Sequence, residues 1–409
     1  MHCDAFIAEI IMECLTPMSA PTTSLILIGS DPGTVAGLAM PLAAEARRQA
    51  AERRQQLEIA LLLPPCQYAS GQEQGAADSS GLFDRVIGPA ATQLLSMGLS
   101  GWSPVGVPIV LHVGGDVWYS RRLAKRWSAR AFAFVEGAQV ARAHQAFEQI
   151  FVPTQELSDR LIRLGAPAWK VLITGDPIYD VPGRVPRLAP AGPRPTVTFL
   201  SGSRDRVFAS MFPFWIATAA ALRTRQPEAR LVVIISPFVS PRAHRRLVAE
   251  HRRALDDSGI EVDYGGWPAI VGSDLVFTIP GTNTLELAVR RIPAIVTASV
   301  RQAATFPLEG SLGWIARLPG VGPPITRRFV RAYLRRHPFV ALPNVRTRRR
   351  IMPELVGDLT PDQVADEGAR LLQDEAARQK IIQDLMEIPD ETGASRRILA
   401  RINLFQTAA

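Results

Sequence analysis

Short apolar runs alternate with amphipathic helical patterns along most of this 409-residue chain, and they do so in two separate series. Such alternation is typical of parallel sheets covered by helices. Between the two series, five prolines lie between Val181 and Pro195. They predict a linker, because proline removes a backbone donor and fixes φ. The sequence therefore predicts two α/β domains joined by a hinge.

The apolar runs predict the individual strands. In the first series they are Leu25 to Gly29, Leu57 to Leu63, Arg85 to Gly88, Pro108 to Val113, Ala131 to Val135, Gln149 to Val152 and Val171 to Thr174. In the second they are Thr196 to Leu200, Leu231 to Ile235, Val262 to Tyr264, Leu275 to Ile279 and Ala294 to Thr297. Gln67 to Ser80 is rich in small and polar residues and predicts a surface loop.

Two amphipathic patterns near the end of the chain predict helices from Thr360 to Leu372 and from Glu375 to Met386, followed by a closing helix. Together these patterns predict five parts: an N-terminal extension 1–22, a domain 23–181, a proline-rich linker 182–195, a domain 196–359 and C-terminal helices 360–409. Ligands of such folds bind beyond the carboxyl ends of the strands, so we expect the active site in the cleft between the domains.

The positive charge of the chain is unevenly distributed. The formal net charge is +8, and residues 310–353 contain ten arginines and no acidic residue. The segment 312–339 combines arginines with aromatic and aliphatic side chains, which favours contact with an anionic membrane surface. Nucleic-acid binding is not expected, since no recognition motif accompanies the charge. A solvated helix face packed on its own domain is the alternative.

Cysteine usage and hydropathy indicate the compartment. Cys3, Cys14 and Cys66 are too few and too unevenly spaced for a disulfide framework or a zinc site. No apolar run approaches the roughly 18 to 20 residues that span a bilayer, and Asp4 and Glu9 argue against an export signal. We expect a cytoplasmic protein without a cofactor, with translation starting at Met1 or Met18.

The segment from Ser273 to Ala288 predicts a strand, a turn and the start of a helix. Helix N-termini attract anions, so Gly281, Thr282 and Thr284 predict a phosphate site. Glu286 is suited to accept two hydrogen bonds from a ribose diol, and the combination favours a nucleotide. The alternative is an ordinary helix start with a threonine cap and Glu286 in a capping-box role.

A second turn of the same kind follows the strand from Thr196 to Leu200. It contains Gly202, Ser203 and Arg204, and a guanidinium group can bind phosphate oxygens in a bidentate way. Two such turns in one half of the chain indicate one diphosphate held between them. A surface ion pair is the alternative for Arg204.

These motifs resemble the lipid-A-disaccharide synthases, which are inverting glycosyltransferases with the two-Rossmann-domain fold called GT-B. The resemblance is carried by Gly202-Ser203-Arg204, by Gly281-Thr282-Asn283-Thr284-Leu285-Glu286, and by the order and spacing of Leu342-Pro343-Asn344, Ile351-Met352-Pro353-Glu354-Leu355, Thr360-Pro361 and Gly393-Ala394-Ser395. Weaker similarity lies at Val117-Trp118 and Gly175-Asp176-Pro177. It covers the second half well and the first half in outline.

The resemblance implies an α/β GT-B fold with an acceptor-side domain 23–181 and a UDP-sugar domain 196–359. It implies a UDP-diacylglucosamine donor, a lipid-linked glucosamine phosphate acceptor, no metal ion, and a homodimer as a possibility, because family members can exchange C-terminal helices. Arg204 and the 281–284 turn would lie near the diphosphate and Glu286 near the ribose. The implied donor-binding residues are Gly202, Ser203, Arg204, Gly281, Thr282, Thr284, Glu286 and Asn344.

The carboxylate thought to act as catalytic base in the family has no counterpart here. The segment Gly-x-Asp-x-Pro-Asp-Phe that supplies it should fall near Gly88, where no acid follows before the next strand. By their position after strands, Asp116, His112 and Asp31 are the candidates to accept the proton of the acceptor hydroxyl. A loop or capping role is the alternative for each of them.

Three functions are compatible with these features. The leading one is a peripheral glycosyltransferase at the inner face of the membrane that moves a sugar from a UDP donor to a lipid-linked acceptor in lipid A biosynthesis. A UDP-sugar epimerase can share the fold and also handles UDP as a leaving group. A non-catalytic, membrane-associated binder of nucleotide sugars would keep the donor site without the base.

Overall fold

The computed structural model describes residues 23–180, 194–264, 266–300, 328, 330–332, 335–388 and 392–405 of the chain. The predicted N-terminal extension with Met18, most of the linker 182–195 and most of the basic segment 312–339 lie outside these residues.

The first half forms a parallel sheet that, within the described residues, has seven strands in the order β3-β2-β1-β4-β5-β6-β7. The strands are β1 Thr23–Ile28, β2 Leu57–Leu62, β3 Arg85–Ile87, β4 Val107–His112, β5 Arg130–Phe134, β6 Gln149–Val152 and β7 Val171–Ile173. Strand order reverses at the β1 and β4 pair, where Ile28 is in register with His112. Loops that follow these two strands therefore flank the crevice in which ligands of such sheets bind.

The second half forms another parallel sheet, which has six strands among the described residues, in the order β10-β9-β8-β11-β12-β13. The strands are β8 Thr196–Leu200, β9 Arg230–Ile234, β10 Ile260–Asp263, β11 Leu275–Thr278, β12 Ala294–Ser299 and β13 Glu354–Gly357. The order reverses at β8 and β11. The Gly202 and Gly281 turns follow these two strands and so lie next to each other.

Helices cover both sheets. In the first half they are α1 Met40–Arg53, continuous with helical turns over Pro32–Thr34 and Val35–Ala39, then α2 Glu73–Ser79, α3 Pro89–Met97, α4 Val117–Arg126 and α5 Gln155–Arg163, with 3-10 turns at Ala138–Ala146, Ala168–Lys170 and Pro177–Asp180. In the second half they are α6 Asp205–Arg225, α7 Pro241–Glu250, α8 Arg252–Asp257, α9 Trp267–Ile270, α10 Asn283–Val289, α11 Leu342–Thr347, α12 Pro361–Gln373, α13 Glu375–Met386 and α14 Ala394–Arg401.

Helix α6 is a core helix. Among the described residues it has the length and hydropathy of a membrane span. Ten of its residues are buried, and nine of them, including Trp215, belong to the hydrophobic core of the second sheet. Its apolar character is thus explained by packing within the domain.

The C-terminal helices return to both domains. Helix α12 packs on α6, and at Gly368 a Cβ atom would lie 2.4 Å from the Phe277 ring. Helix α14 instead packs on α1, and Ile398 belongs to the core of the first domain. Asp180 fixes the start of α14 by accepting hydrogen bonds from the backbone of Gly393 and Ser395 at 2.5 and 2.6 Å. The chain end therefore connects the two domains.

The predicted α/β fold is confirmed, with both parallel sheets and the helices α12 and α13 where the patterns place them, except that the edge strand β13 was not predicted. The predicted loop from Gln67 to Ser80 is wrong in its second half, which forms α2. The Glu73 carboxylate accepts hydrogen bonds from the backbone of Ser70 and Gly71, and Ala77 is buried against the sheet. These contacts stabilise a helix whose composition alone is unfavourable.

Candidate functional site

The carboxyl ends of both sheets meet at one cleft. The loop after β1 approaches the turn after β11, since a Cβ atom on Gly33 would lie 3.5 Å from the Thr282 side chain. From the other domain, Arg204 reaches the loop after β2, where its Nε donates to the Tyr68 carbonyl at 2.6 Å. The two predicted turns thus lie at the junction of the domains.

The turn after β8 contains a left-handed backbone conformation that favours glycine. Gly202 has a φ of 85°, and a Cβ atom at this position would lie 2.5 Å from a methyl group of Val207. Such a left-handed conformation costs other residues free energy that glycine does not pay. The neighbouring Ser201 hydroxyl is buried and has no hydrogen-bond partner among the described residues. The turn therefore holds Arg204 in a fixed place and leaves a buried hydroxyl group for a ligand.

Arg204 lies between the domains. Its side chain is one-third exposed, its Nη2 lies 3.9 Å from Asp31 Oδ1, and its guanidinium group is 6.0 Å from the centre of the Tyr68 ring. An arginine has five N–H donors, and the bond to Tyr68 uses one of them. Arg204 can therefore bind a phosphate group while it stays anchored to the first domain.

The turn after β11 is held by its own hydroxyl groups. Thr284 Oγ1 donates to the Gly281 carbonyl at 2.7 Å and accepts a hydrogen bond from the backbone of Leu342 at 3.2 Å. Thr282 precedes α10, and its side chain makes no capping hydrogen bond. Thr284 therefore supports the turn, whereas the Thr282 hydroxyl is the better placed of the two for a ligand.

Glu286 is buried beside a cation on the next turn of α10. Its Oε2 lies 3.6 Å from Arg290 Nη1, and the Arg290 guanidinium stacks 4.1 Å from the Trp267 ring. Burial raises the pKa of Glu286 to about 7, although Arg290 and a hydrogen bond from Trp267 oppose the rise. Hydrogen bonds from a diol would stabilise the charged form of this carboxyl group.

Asn344 is fully buried and holds the segment before β13. Its Nδ2 donates to the Met352 carbonyl and to Glu354 Oε1, and its Oδ1 accepts from the backbone of Ile351 and Met352. These four bonds use all the positions that a carboxamide offers. The structure therefore leaves Asn344 no hydrogen-bonding position for a donor.

The three candidate bases occupy different environments. Asp31 caps the helical turn after β1 by accepting from the backbone of Gly33 and Thr34, and it lies in the cleft near Arg204. Asp116 is exposed and caps α4 through a 2.8 Å bond from the Trp118 backbone. His112 ends β4, is 3% exposed, and pairs through Nδ1 with the Ser120 hydroxyl at 2.8 Å. Asp31 thus lies within 4 Å of Arg204.

The burial of His112 predicts a pH-dependent stability. Burial lowers its pKa to about 4, although Asp116 opposes the effect. As the pH falls, the unfolded chain protonates this histidine near pH 6.5, whereas the folded protein does so only near pH 4. The contribution of the neutral imidazole to the stability of the fold is therefore complete above pH 6.5 and is lost as the pH falls through about 4. Between pH 7 and pH 4, the free energy of unfolding of the native protein should fall by roughly 3 kcal/mol more than that of His112→Gln. Urea unfolding of both proteins across this range measures the difference, and equal pH slopes would contradict it.

The structure adds residues that the sequence patterns do not group as a site. Asp176, after β7, is fully buried, and its Oδ2 lies 2.5 Å from Nη2 of Arg346, which belongs to α11 of the second domain. Glu136, two residues beyond β5, feels the charges of Asp176, Arg346 and Asp31. The Gly175-Asp176-Pro177 motif was the available signal for Asp176, whereas nothing local marks Arg346 within its arginine-rich surroundings.

Comparisons with known proteins agree with this geometry. A solved UDP-GlcNAc 2-epimerase from Neisseria meningitidis, bound to UDP-GlcNAc, has a TM-score of 0.53 over 93% of this chain and 99% of its own, at 11% identity. The class defined by the fold and the facing turns is thus the GT-B class, with two Rossmann-like domains around a cleft.

The sequence comparisons point to one enzyme family within this fold class. The family model described as lipid-A-disaccharide synthetase matches residues 191–308, which include both turns. The lipid-A-disaccharide synthase of Anaeromyxobacter dehalogenans is 26% identical over 73% of this chain and 69% of its own length. That of Myxococcus xanthus is 26% identical over 72% and 68%. The chain is similar to the lipid-A-disaccharide synthases over most of its length, and the resemblance seen in its motifs is confirmed.

Proposed function

We propose that this protein is a lipid-A-disaccharide synthase-like glycosyltransferase that moves a sugar from a UDP donor to a lipid-linked sugar acceptor. The observation that carries the proposal is the family match over residues 191–308, because it contains the Arg204 and Gly281 turns. These turns follow the two strands at which the order of the second sheet reverses. Ligands of open α/β sheets bind at such a point.

The proposed reaction is an inverting displacement without a metal ion. The acceptor hydroxyl attacks the anomeric carbon as the bond from that carbon to the diphosphate breaks. Negative charge then develops on UDP, and Arg204 supplies positive charge and hydrogen bonds where it appears. Glu286 would accept hydrogen bonds from the ribose, and the hydroxyl groups of Thr282 and Ser201 would supply further hydrogen bonds from the turns. Closure of the cleft would exclude water.

The acceptor side of the proposal rests on the resemblance. UDP-diacylglucosamine as donor and a lipid-linked glucosamine phosphate as acceptor follow from the family. We propose peripheral association with the inner face of the cytoplasmic membrane through the basic segment 312–339, and a homodimer as the oligomeric form.

The donor site is tested by thermal unfolding with UDP, with ADP and dTDP for comparison. We expect selective stabilisation by UDP, of about 2.7 kcal/mol at a concentration 100 times its Kd. Arg204→Ala removes a charged hydrogen-bonding group, a loss of about 1.5–3 kcal/mol, so UDP should bind roughly 10 to 150 times more weakly.

Arg206→Ala is the matched control, since Arg206 is exposed two residues further along the chain. It should leave UDP binding unchanged. A folded native protein that gains no stability from millimolar UDP would overturn the donor site. Conversion of a UDP-sugar in the absence of acceptor would show epimerase chemistry, and UDP binding without turnover would show a non-catalytic binder.

A further inference from the structure

Glu136 lies just beyond the carboxyl end of strand β5 in the first domain. Strand β5 ends at Phe134, and the backbone of Val135 still donates to Phe151 in β6 at 3.0 Å, so Glu136 is the second residue beyond the strand. It therefore lies at the same edge of the sheet as Asp31 and Asp176. This edge faces the donor turns of the second domain, as the close approach of the Gly33 backbone to the Thr282 side chain shows.

The charges of three residues act on Glu136. Asp31 comes from the loop after β1, Asp176 from the loop after β7, and Arg346 from α11 of the second domain. Asp176 and Arg346 pair with each other at 2.5 Å. Glu136 thus lies where the two domains bring acidic side chains and an arginine together.

The carboxyl group of Glu136 has no structural task among the described residues. Among the described residues, no side chain or backbone group donates a hydrogen bond to it, and no cation pairs with it within 4 Å. The other described acids that follow strands at this edge are engaged, Asp31 and Asp116 as helix caps, Asp176 by Arg346 and Asp180 by the start of α14. Glu136 also has solvent access. It is therefore the carboxylate at this edge that can meet an incoming hydroxyl group.

We propose that Glu136 is the general base of the transfer, which accepts the proton of the acceptor hydroxyl; this role rests on the proposed function. As the hydroxyl oxygen forms its bond to the anomeric carbon, its proton passes to the Glu136 carboxylate. The bond from the anomeric carbon to the diphosphate breaks, and UDP leaves with the electron pair. Glu136 then returns its proton to water, so charge and atoms balance.

The titration of Glu136 suits this role. Although part of the Glu136 side chain is exposed, desolvation by the surrounding protein raises its pKa to about 7, Asp176 and Asp31 add to the rise, and Arg346 opposes it. A base whose pKa lies near the operating pH is deprotonated often enough to act and basic enough to take the proton. We therefore expect kcat/KM to rise with pH through about 7.

The test compares Glu136→Gln and Glu136→Asp with Glu156→Gln, a control in which an exposed glutamate of the same domain is changed. Transfer is measured from UDP-diacylglucosamine to an acylated glucosamine phosphate in detergent micelles, and UDP binding by thermal unfolding. Glu136→Gln should lower kcat by about 10² to 10⁴ and abolish the rise of kcat/KM near pH 7. Its UDP binding should equal that of the native protein.

Glu136→Asp distinguishes loss of the carboxylate from disruption of the structure. It keeps the carboxylate and should retain part of the activity with its pH dependence. Glu156→Gln should change neither quantity. The proposal is overturned if Glu136→Gln keeps its activity or its rise near pH 7. It is also overturned if the native protein binds UDP without transfer, an outcome that identifies the failure as that of the proposed function.

Discussion

Replacing Arg346 by alanine is expected to lower the free energy of unfolding by about 3–5 kcal/mol, because it leaves a buried charge without its partner. Asp176 has no exposed surface, and its Oδ2 is bound to Arg346 Nη2 at 2.5 Å. Its other oxygen accepts from the Ile178 backbone at 3.0 Å, which does not neutralise the charge. Urea unfolding followed by circular dichroism measures the loss. Since the pair joins the two domains, the variant should also be cleaved faster by protease.

Arg348→Ala is the control for this prediction. Arg348 lies just beyond the same helix, and its pair with Glu156 at 3.7 Å is 80% exposed on both side chains. Exposed ion pairs contribute about 0–1 kcal/mol, so Arg348→Ala should change the free energy of unfolding little. Removing both charges of the buried pair, with Asp176→Asn and Arg346→Met together, should recover part of the stability. Equal losses for Arg346→Ala and Arg348→Ala would mean that burial does not govern the pair.

The strands, the two turns and the helices α12 and α13 were predictable because each depends on neighbours in sequence. The Gly202 turn is an example, since its strand, its glycine and its arginine lie within nine residues. Helix α2 was missed because its composition is unfavourable and because the burial of Ala77 against the sheet is a long-range contact that local sequence does not show.

The acceptor side of the site could not be predicted in the same way. Asp176 and Arg346 are 170 positions apart, and their pairing depends on how α11 meets the first domain. Glu136 is one of several acids near strand ends, and local sequence does not show which of them remain without a partner. The placement of Glu286 and Arg290 one helical turn apart was visible, but their burial under Trp267 was not. The donor turns are formed by residues close in sequence, whereas the environment of a catalytic base depends on tertiary contacts.

Trp215→Ala is expected to lower the free energy of unfolding by about 3–5 kcal/mol, the cost of removing a fully buried large aromatic side chain. The ring lies on α6 with its centre 5.7 Å from that of Phe199 and 5.9 Å from that of Phe277. Its Nε1 donates to the Leu200 carbonyl at 3.0 Å. Leu200 is the last residue of β8, so the same contact supports the turn that presents Arg204. We therefore expect weaker stabilisation by UDP in addition to the lost stability.

Two further variants separate packing from hydrogen bonding at Trp215. Trp215→Phe keeps an aromatic ring in the core and leaves the Leu200 carbonyl unpaired, which should cost about 1–3 kcal/mol for the lost bond in addition to the smaller ring volume. Trp169→Ala removes a tryptophan that is 71% exposed and should change stability by about 0.5 kcal/mol or less. If Trp215→Phe binds UDP as tightly as the native protein, ring packing alone supports the turn. If Trp215→Ala does so as well, the position of Arg204 does not depend on this part of the core.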